Sequence, residues 1–481
     1  MKNRISYALA ALVAACFAAC QSEVEFTQDR NRLLTFGEDT VRMDTVFANV
    51  PSSMRTFWVY NHSGQDIRMA QVRLQRGGQT GFRVNVDGTY LGEKSGFQTT
   101  GVELRDNDSL RVFVELTAPN THQEDPVAME DELLFNLESG AQQRVLLTAS
   151  AWDATLVDSL IVEKDTTLGG AKPSVFFGNI VVKAGATLTI APGTTLYFAA
   201  NAGLKVHGRL VCDGTPEANV TLRGNRLDRM FDYLPYDRVS GQWQGVRLFG
   251  TSRGNTIAHT DLHGAFDAIV VDSTALDHEA LSLSASTVHN CQGYGLLVKH
   301  AKVSVSNTQI TNTLHDLVCA SGGDVSLNHC TLAQFYPYDA NRGFAIHLVA
   351  TEASPLRFSC LNTLATGYAD RMIGRDSLAD AAVLDYRFDH SLLRMPKPTT
   401  GDSLRFAACL FENVKDTLHG EGHFRTFDTD NLYYDFHLKA TSAAIDKAST
   451  AAAPPTDRDG TKRDAKPDIG AFEFIPTETK R

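Results

Sequence analysis

Asp457, Asp459 and Asp468 form the one carboxylate cluster of note in this 481-residue sequence. A hard cation such as Ca2+ wants several oxygen ligands around it. The segment lacks the loop glycine and closing glutamate of an EF-hand, so it reads first as a polar cap and second as a metal site. His263-Gly264 and His419-Gly420-Glu421-Gly422-His423 contain only fragments of catalytic signatures, and Asp389-His390-Ser391 is a third short run with an acid beside an imidazole. Glycoside cleavage needs two carboxylates flanking one bond, and none of these runs supplies the pair. Cys212, Cys291, Cys319, Cys330, Cys360 and Cys409 match neither a metal motif nor a compact disulfide framework, and read as buried thiols. Residues 225–242 gather Phe231, Tyr233, Tyr236 and Asp237, whose rings suit stacking on sugars. No cofactor is implied.

These residues sit in a chain of ordinary globular make-up, 43% hydrophobic and 21% charged. Its length calls for two or three folded units. The formal charge of −11 argues against nucleic acid or an anionic membrane surface as the main partner.

The first twenty residues stand apart. Lys2 and Arg4 precede an apolar run from Tyr7 to Ala19, too short to span a bilayer comfortably and suited to a signal-peptide core. The run ends in Phe17-Ala18-Ala19-Cys20, which resembles the bacterial lipobox. Val13-Ala14-Ala15-Cys16 fits the same pattern. Cys20 is preferred because Gln21-Ser22-Glu23 begins a polar stretch at once, whereas Cys16 is still inside the apolar run. The resemblance implies export, lipidation at Cys20 and a membrane tether at the outer membrane or cell surface. The acidic residues that follow resemble the surface-export signal of Bacteroidetes lipoproteins. Residues 21–29 form a linker.

Between 30 and 153, short apolar runs alternate with turns. They include Leu33-Leu34-Thr35-Phe36, Thr56-Phe57-Trp58-Val59-Tyr60, Phe82-Arg83-Val84-Asn85-Val86, Leu110-Arg111-Val112-Phe113-Val114 and Arg144-Val145-Leu146-Leu147. Strands at this spacing without helical periodicity predict a β-sandwich. The early Phe-Trp-Val-Tyr-Asn strand makes the module resemble an immunoglobulin-like domain, here a spacer without an intersheet disulfide.

From residue 156 the chain repeats. Leu281-Ser282-Leu283-Ser284, Val303-Ser304-Val305-Ser306 and Val325-Ser326-Leu327-Asn328 start 22 residues apart, each with an apolar eighth position: Val288, Ile310 and Leu332. Asn255-Thr256-Ile257, Tyr386-Arg387-Phe388 and Leu404-Arg405-Phe406 fit the same frame. A repeat of this length with several short strands is one coil of a solenoid, whose coils must stack to bury their inner faces. The sixth position holds Thr260, Ser286, Thr308, Cys330, Ser391 and Cys409, a packed internal ladder. This frame accounts for Asp389-His390-Ser391 without chemistry. The fifth holds His259, Ala285, Asn307, His329, His390 and Ala408, expected at a bend and facing outward. Polar columns arise on any solenoid because every coil turns at the same place, and that reading leads. The functional alternative is an extended sugar-contacting face, with Tyr233 and Tyr236 as platforms beside it.

Thr187-Leu188-Thr189-Ile190-Ala191-Pro192-Gly193, then Gly203-Leu204-Lys205-Val206-His207-Gly208-Arg209-Leu210, then Trp243-Gln244-Gly245-Val246 resemble the opening coils of right-handed parallel β-helix proteins of the pectate-lyase-like superfamily. Ala443-Ala444-Ile445-Asp446, Asp457-Arg458-Asp459-Gly460 and Asp468-Ile469-Gly470-Ala471-Phe472-Glu473 resemble the choice-of-anchor segment of secreted bacterial β-helix proteins. The resemblance spans residues 156–475 and implies an all-β chain: the sandwich, a β-helix over 156–440, and a C-terminal cap over 441–475. The superfamily hosts both enzymes and binding proteins. The Asn-Thr-Asp, Asp-Asp and Gly-His-Gly signatures of polygalacturonase-like hydrolases are absent between residues 243 and 430. The reading that leads is a membrane-tethered envelope lipoprotein, non-catalytic, that binds a polysaccharide or acts as an adhesin. A polysaccharide lyase or glycoside hydrolase is second, and a purely structural envelope component third.

Overall fold

The computed structural model describes residues 25–170, 172–376, 383–399 and 401–476. The signal-peptide residues, with Cys16 and Cys20, lie outside the described residues. No helix among the described residues is long and apolar enough to cross a membrane. The chain divides into two compact units at Asp153/Ala154.

The first unit is a β-sandwich of two five-stranded sheets. One holds Thr35–Phe36, Arg55–Tyr60, Ser109–Leu116, Phe82–Val86 and Thr89–Tyr90, paired antiparallel. The other holds Thr40–Phe47, Gln142–Trp152, Val127–Leu137, Ile67–Leu74 and Gln98–Leu104, with one parallel pairing between its first two. Alternation explains the core. Phe82, Val84 and Val86 point in, as do Leu110, Val112 and Val114 from the neighbouring strand. Four strands of the second sheet do not stand out in the sequence, because Arg, Gln and Glu fill their solvent-facing positions.

The second unit is built on a right-handed β-helix whose two large sheets are all-parallel, with two small antiparallel pairs outside them. One wall is an eleven-stranded sheet; the rest is a seventeen-stranded sheet that takes two strands from most coils. The 22-residue frame is the stacking register. Leu281 pairs with Val303 and Val303 with Val325; Val288 pairs with Ile310 and Ile310 with Leu332. All are buried in one continuous apolar core. Gly245 follows the entry tryptophan because its φ is +81° and a Cβ there would lie 1.7 Å from the Asp267 carbonyl oxygen.

The fifth and sixth positions together make the bend. His259, Ala285, Asn307, His329, His390 and Ala408 all adopt left-handed backbone, with φ between 41° and 52°. At the next position, Thr260, Ser286, Thr308 and Ser391 donate their hydroxyls to the carbonyl two residues back, at 2.7 to 3.0 Å. Cys330 and Cys409 use their thiols on the same carbonyl. The side chain thus closes the turn locally. A further coil, whose bend is Asn362-Thr363 (φ 51° at Asn362), escapes the 22-residue count because residues 336–343 lengthen the connection before it.

The six cysteines among the described residues are free thiols, five of them buried. Burial pushes Cys212, Cys291 and Cys330 up to about 12, so they pack as small apolar groups.

Candidate functional site

The bend column does not form an open sugar-contacting face. The C-terminal segment runs along it instead of capping an end of the stack, and its backbone pairs with the column coil after coil. Asn362 donates to the Ser449 carbonyl and accepts from the Ser449 amide. Asn328, beside the column, donates to Ala452, and Asn307 donates to Thr456. His329 is fully buried, bonded to the Gly470 carbonyl and to Asn362. Burial, with Arg463 adding to it, pushes the His329 imidazole down to about 3. Asn307 also receives Arg463. Both are therefore corrected from ligand-binding candidates to docking residues for the chain's own terminus. Left-handed bends expose side chains at one azimuth on every coil, and an extended segment with free carbonyls covers that row well.

The two ends of the column are more open. His259 is partly exposed, and burial leads in pushing its imidazole down. His390 pairs with Asp389 at 2.7 Å. In the terminal segment, Asp457 accepts from the amides of Asp459, Thr461 and Glu473, and Asp468 from those of Asp446 and Phe474. Asp459 pairs with His437 and Arg458. Among the described residues the three aspartates do not gather as a metal-competent group. Their oxygens serve turn amides and ion pairs.

An open site lies on the outer face of the eleven-stranded sheet. Positions seven and nine of the frame flank the inward eighth, so they point outward. On strands Thr260–His263, Thr287–Cys291 and Gln309–Thr313 they form two rows, Asp261–Thr287–Gln309 and His263–His289–Thr311, in register. Over later coils the same face is covered: Ala333, Leu364 and Leu392 pack under Phe424, Phe436 and Ile469. Where that cover ends, a cleft of about 270 Å³ opens, lined by Asp237, His289, Gln309, Thr311 and Tyr433 among others.

Two chain segments far apart in sequence rim this cleft. Residues 225–242 contribute Asp237 and Arg238, and the hairpin of Phe424–Asp428 and Tyr433–Leu438 contributes Tyr433, Tyr434 and Phe436. Arg238 ties them together. It donates to the Asn431 carbonyl at 2.8 Å, lies over the Tyr433 ring at 4.9 Å, and its own carbonyl accepts from the Tyr338 hydroxyl. Tyr433 is exposed in the cleft; Phe231 and Tyr233 on the 225–242 segment, and Tyr338 bonded to Arg238, are exposed as well. Phe231 and Tyr233 stack at 5.8 Å. Tyr236 instead lies under the Arg226 guanidinium at 4.0 Å, so its face is already used.

The electrostatics of the floor are uneven. Burial alone would raise Asp261, but His289 and His263 beside it outweigh this and hold its carboxyl well below the usual range. Burial pushes His263 down against the pull of Asp261. Asp237 pairs with Arg223 at 2.5 Å. Acid–base glycoside cleavage wants one carboxyl raised so that it can protonate a leaving group. Asp261 is pushed the other way. The floor is lined by polar groups, and its acids are already engaged, Asp261 with two imidazoles and Asp237 with Arg223. Sequence reasoning missed Thr287, His289, Gln309 and Thr311, although their parity against the apolar eighth position marks them as outward.

No protein-family model matches the sequence, and no curated protein matches it. Among solved structures, the chain is similar to pectate lyase Pel9A at 11% identity and a TM-score of 0.28, covering 67% of this chain and 98% of that one. It is also similar to the catalytic unit of a GH87 α-1,3-glucanase from Streptomyces thermodiastaticus at 11% identity and a TM-score of 0.29, covering 74% and 75%. It is also similar to a PapD-like domain of human CEP192 at 12% identity and a TM-score of 0.17, covering 28% of this chain and 96% of that one. At such TM-scores these likenesses carry no argument about activity. The strand pairing itself makes this chain a β-sandwich followed by a parallel β-helix.

Proposed function

We propose that this protein is an exported, lipid-anchored envelope protein that holds an extended carbohydrate in the cleft over the eleven-stranded sheet without cutting it. The observation that carries this reading is the exposed Tyr433 ring lining the cleft beside His289, with Gln309 and Thr311 beneath and with Phe231 and Tyr233 exposed on the segment that supplies Asp237 to the cleft. Sugar rings present apolar C–H faces and hydroxyl edges, and such a cleft offers a surface for each. The tether rests on Cys20 and the run before it. A single acyl chain binds membranes only marginally, so stable anchoring needs the multiple chains of a bacterial lipoprotein.

Two measurements test this. Mass spectrometry of the mature chain is expected to find an acylated Cys20 at the N-terminus; lipid on Cys16, or an unmodified start elsewhere, overturns the tether. A glycan array followed by calorimetry tests the cleft. Truncating one exposed ring costs about 1 kcal/mol, roughly fivefold in affinity. Tyr233→Ala and Tyr433→Ala together are therefore expected to weaken binding about 25-fold, with the fold intact because both side chains are exposed. Unchanged affinity in the double variant removes the cleft from the account. Release of unsaturated or reducing ends from the bound polysaccharide overturns the non-cleaving reading.

A further inference from the structure

At one end of the cleft floor, two imidazoles converge on one carboxylate oxygen. Asp261 and His263 lie two apart on one strand and share its outer face, and the parallel register sets His263 against His289 on the next coil. His263 Nδ1 is 2.6 Å from Asp261 Oδ1, and His289 Nε2 is 3.3 Å from the same atom. The two rings stack at 4.8 Å between centroids. One donor atom from each residue lies within 4.8 Å of the other two. We propose that Asp261, His263 and His289 form a binding site for a divalent transition-metal ion of the Zn2+ class. The inference is independent of the carbohydrate reading, since it concerns the ion alone.

The donor set selects the class of ion. Two imidazole nitrogens and one carboxylate oxygen suit Zn2+ and its first-row neighbours, which take such ligands at about 2.0 to 2.2 Å. Ligands at that radius stand about 3.0 to 3.5 Å apart; the His289–Asp261 pair is already at 3.3 Å, and the His263–Asp261 pair at 2.6 Å must open by about half an ångström. Ca2+ is disfavoured because it asks for many oxygens and finds one side-chain carboxylate. His289 lines the cleft, which leaves the remaining coordination positions open towards it for water or a ligand.

A merely structural ion pair leaves two atoms unexplained. His263 is only 6% exposed, yet its Nε2 has no hydrogen-bond partner, and neither does the buried Oε1 of Gln242. The Gln242 amide packs on Gly264, the residue after His263. With Nδ1–H donating to Asp261, the neutral form of the ring presents Nε2 as a buried acceptor without a donor. An ion on Nδ1 moves the ring hydrogen to Nε2 and turns that atom into a donor. Outer hydrogen bonds of this kind are what metal-bound histidines use to fix their orientation.

A second group, Asp316, Cys319 and His347, has compatible donor spacing but different chemistry. His347 bonds Asp316 through Nδ1 at 2.8 Å and lies 3.3 Å from Asp376 through Nε2. Asp316, with Cys319, raises it to about 10, so it is a charged imidazolium held between the Asp316 and Asp376 carboxylates. It acts as an ion-pair hub between coils.

The experiment is a Zn2+ titration by calorimetry on the exported chain carrying Cys319→Ser, which disables the second group. One saturable equivalent is expected, weakened at least tenfold by His289→Gln and by Asp261→Asn, while Ca2+ gives no saturable heat. Co2+ supplies a spectroscopic readout: its visible bands are expected to change in His289→Gln. Should Asp261→Asn fail to fold by circular dichroism, His289→Gln, whose side chain is partly exposed, carries the test. Absence of saturable Zn2+ binding, unchanged affinity in the folded variants, or Ca2+ binding as tight as Zn2+ overturns the proposal.

Discussion

Leu283→Asp is expected to abolish cooperative folding of the β-helix, read as loss of the thermal transition and of the far-ultraviolet strand signal. Leu283 is fully buried, pairs in register with Ile257 and Val305, and sits inside the continuous core. An unpaired carboxylate there costs several kcal/mol, comparable with the whole stability of a domain. Stacked coils give it no escape, because each inner face is closed by the coils before and after. Ser282→Asp, one residue away and facing outward, serves as the control and is expected to melt within a few degrees of the parent. A cooperative transition in Leu283→Asp near that of the parent would show that residues 281–284 do not face the core.

Arg463→Met is expected to release the C-terminal segment from the flank of a β-helix that itself stays folded. The Arg463 guanidinium is almost fully buried and bonds Glu473 at 2.9 Å, Asn307 at 3.0 Å and the Gly470 carbonyl at 3.0 Å. Removing one partner of a buried pair strands the other and costs about 3 to 5 kcal/mol. Glu473 would be left buried without its cation. Cleavage by trypsin within residues 439–466 is expected to accelerate at least about 100-fold, since it tracks the open population. Asp464→Asn, at an exposed site, controls for substitution in the segment. Equal cleavage rates for Arg463→Met and the parent would show that this network does not hold the segment down.

The repeat was legible because stacking demands it. Each coil must offer apolar side chains at the same azimuth, so the pattern recurs every 22 residues wherever the coil length is constant. It failed at the coil of Phe358, Cys360 and Asn362, where the lengthened connection at 336–343 moves the start and hides the match. Some strands of the sandwich were hidden for a related reason. Thr40–Phe47 and Gln98–Leu104 carry polar residues on their open faces and lack a repeat to reveal them.

The bend column divides the two kinds of information most clearly. That His259, Asn307, His329 and His390 stand at a turn and point outward follows from frame and parity, properties of nearby residues. That Asn307 and His329 are covered follows from a segment more than a hundred residues later, held by Arg463 and by backbone carbonyls that no side-chain pattern announces. The same holds for the cleft. Its floor is set by positions seven and nine of successive coils, but its rim joins residues 225–242 to the hairpin of 424–438 through Arg238 and Asn431. The sequence by itself determined an all-β chain, the coil period, the inward ladder and the turn. Tertiary structure alone decided which outward face stays open and that Asp261, His263 and His289 meet there. The physical reason is that local spacing fixes a side chain's direction, whereas its neighbours across coils depend on how distant segments dock.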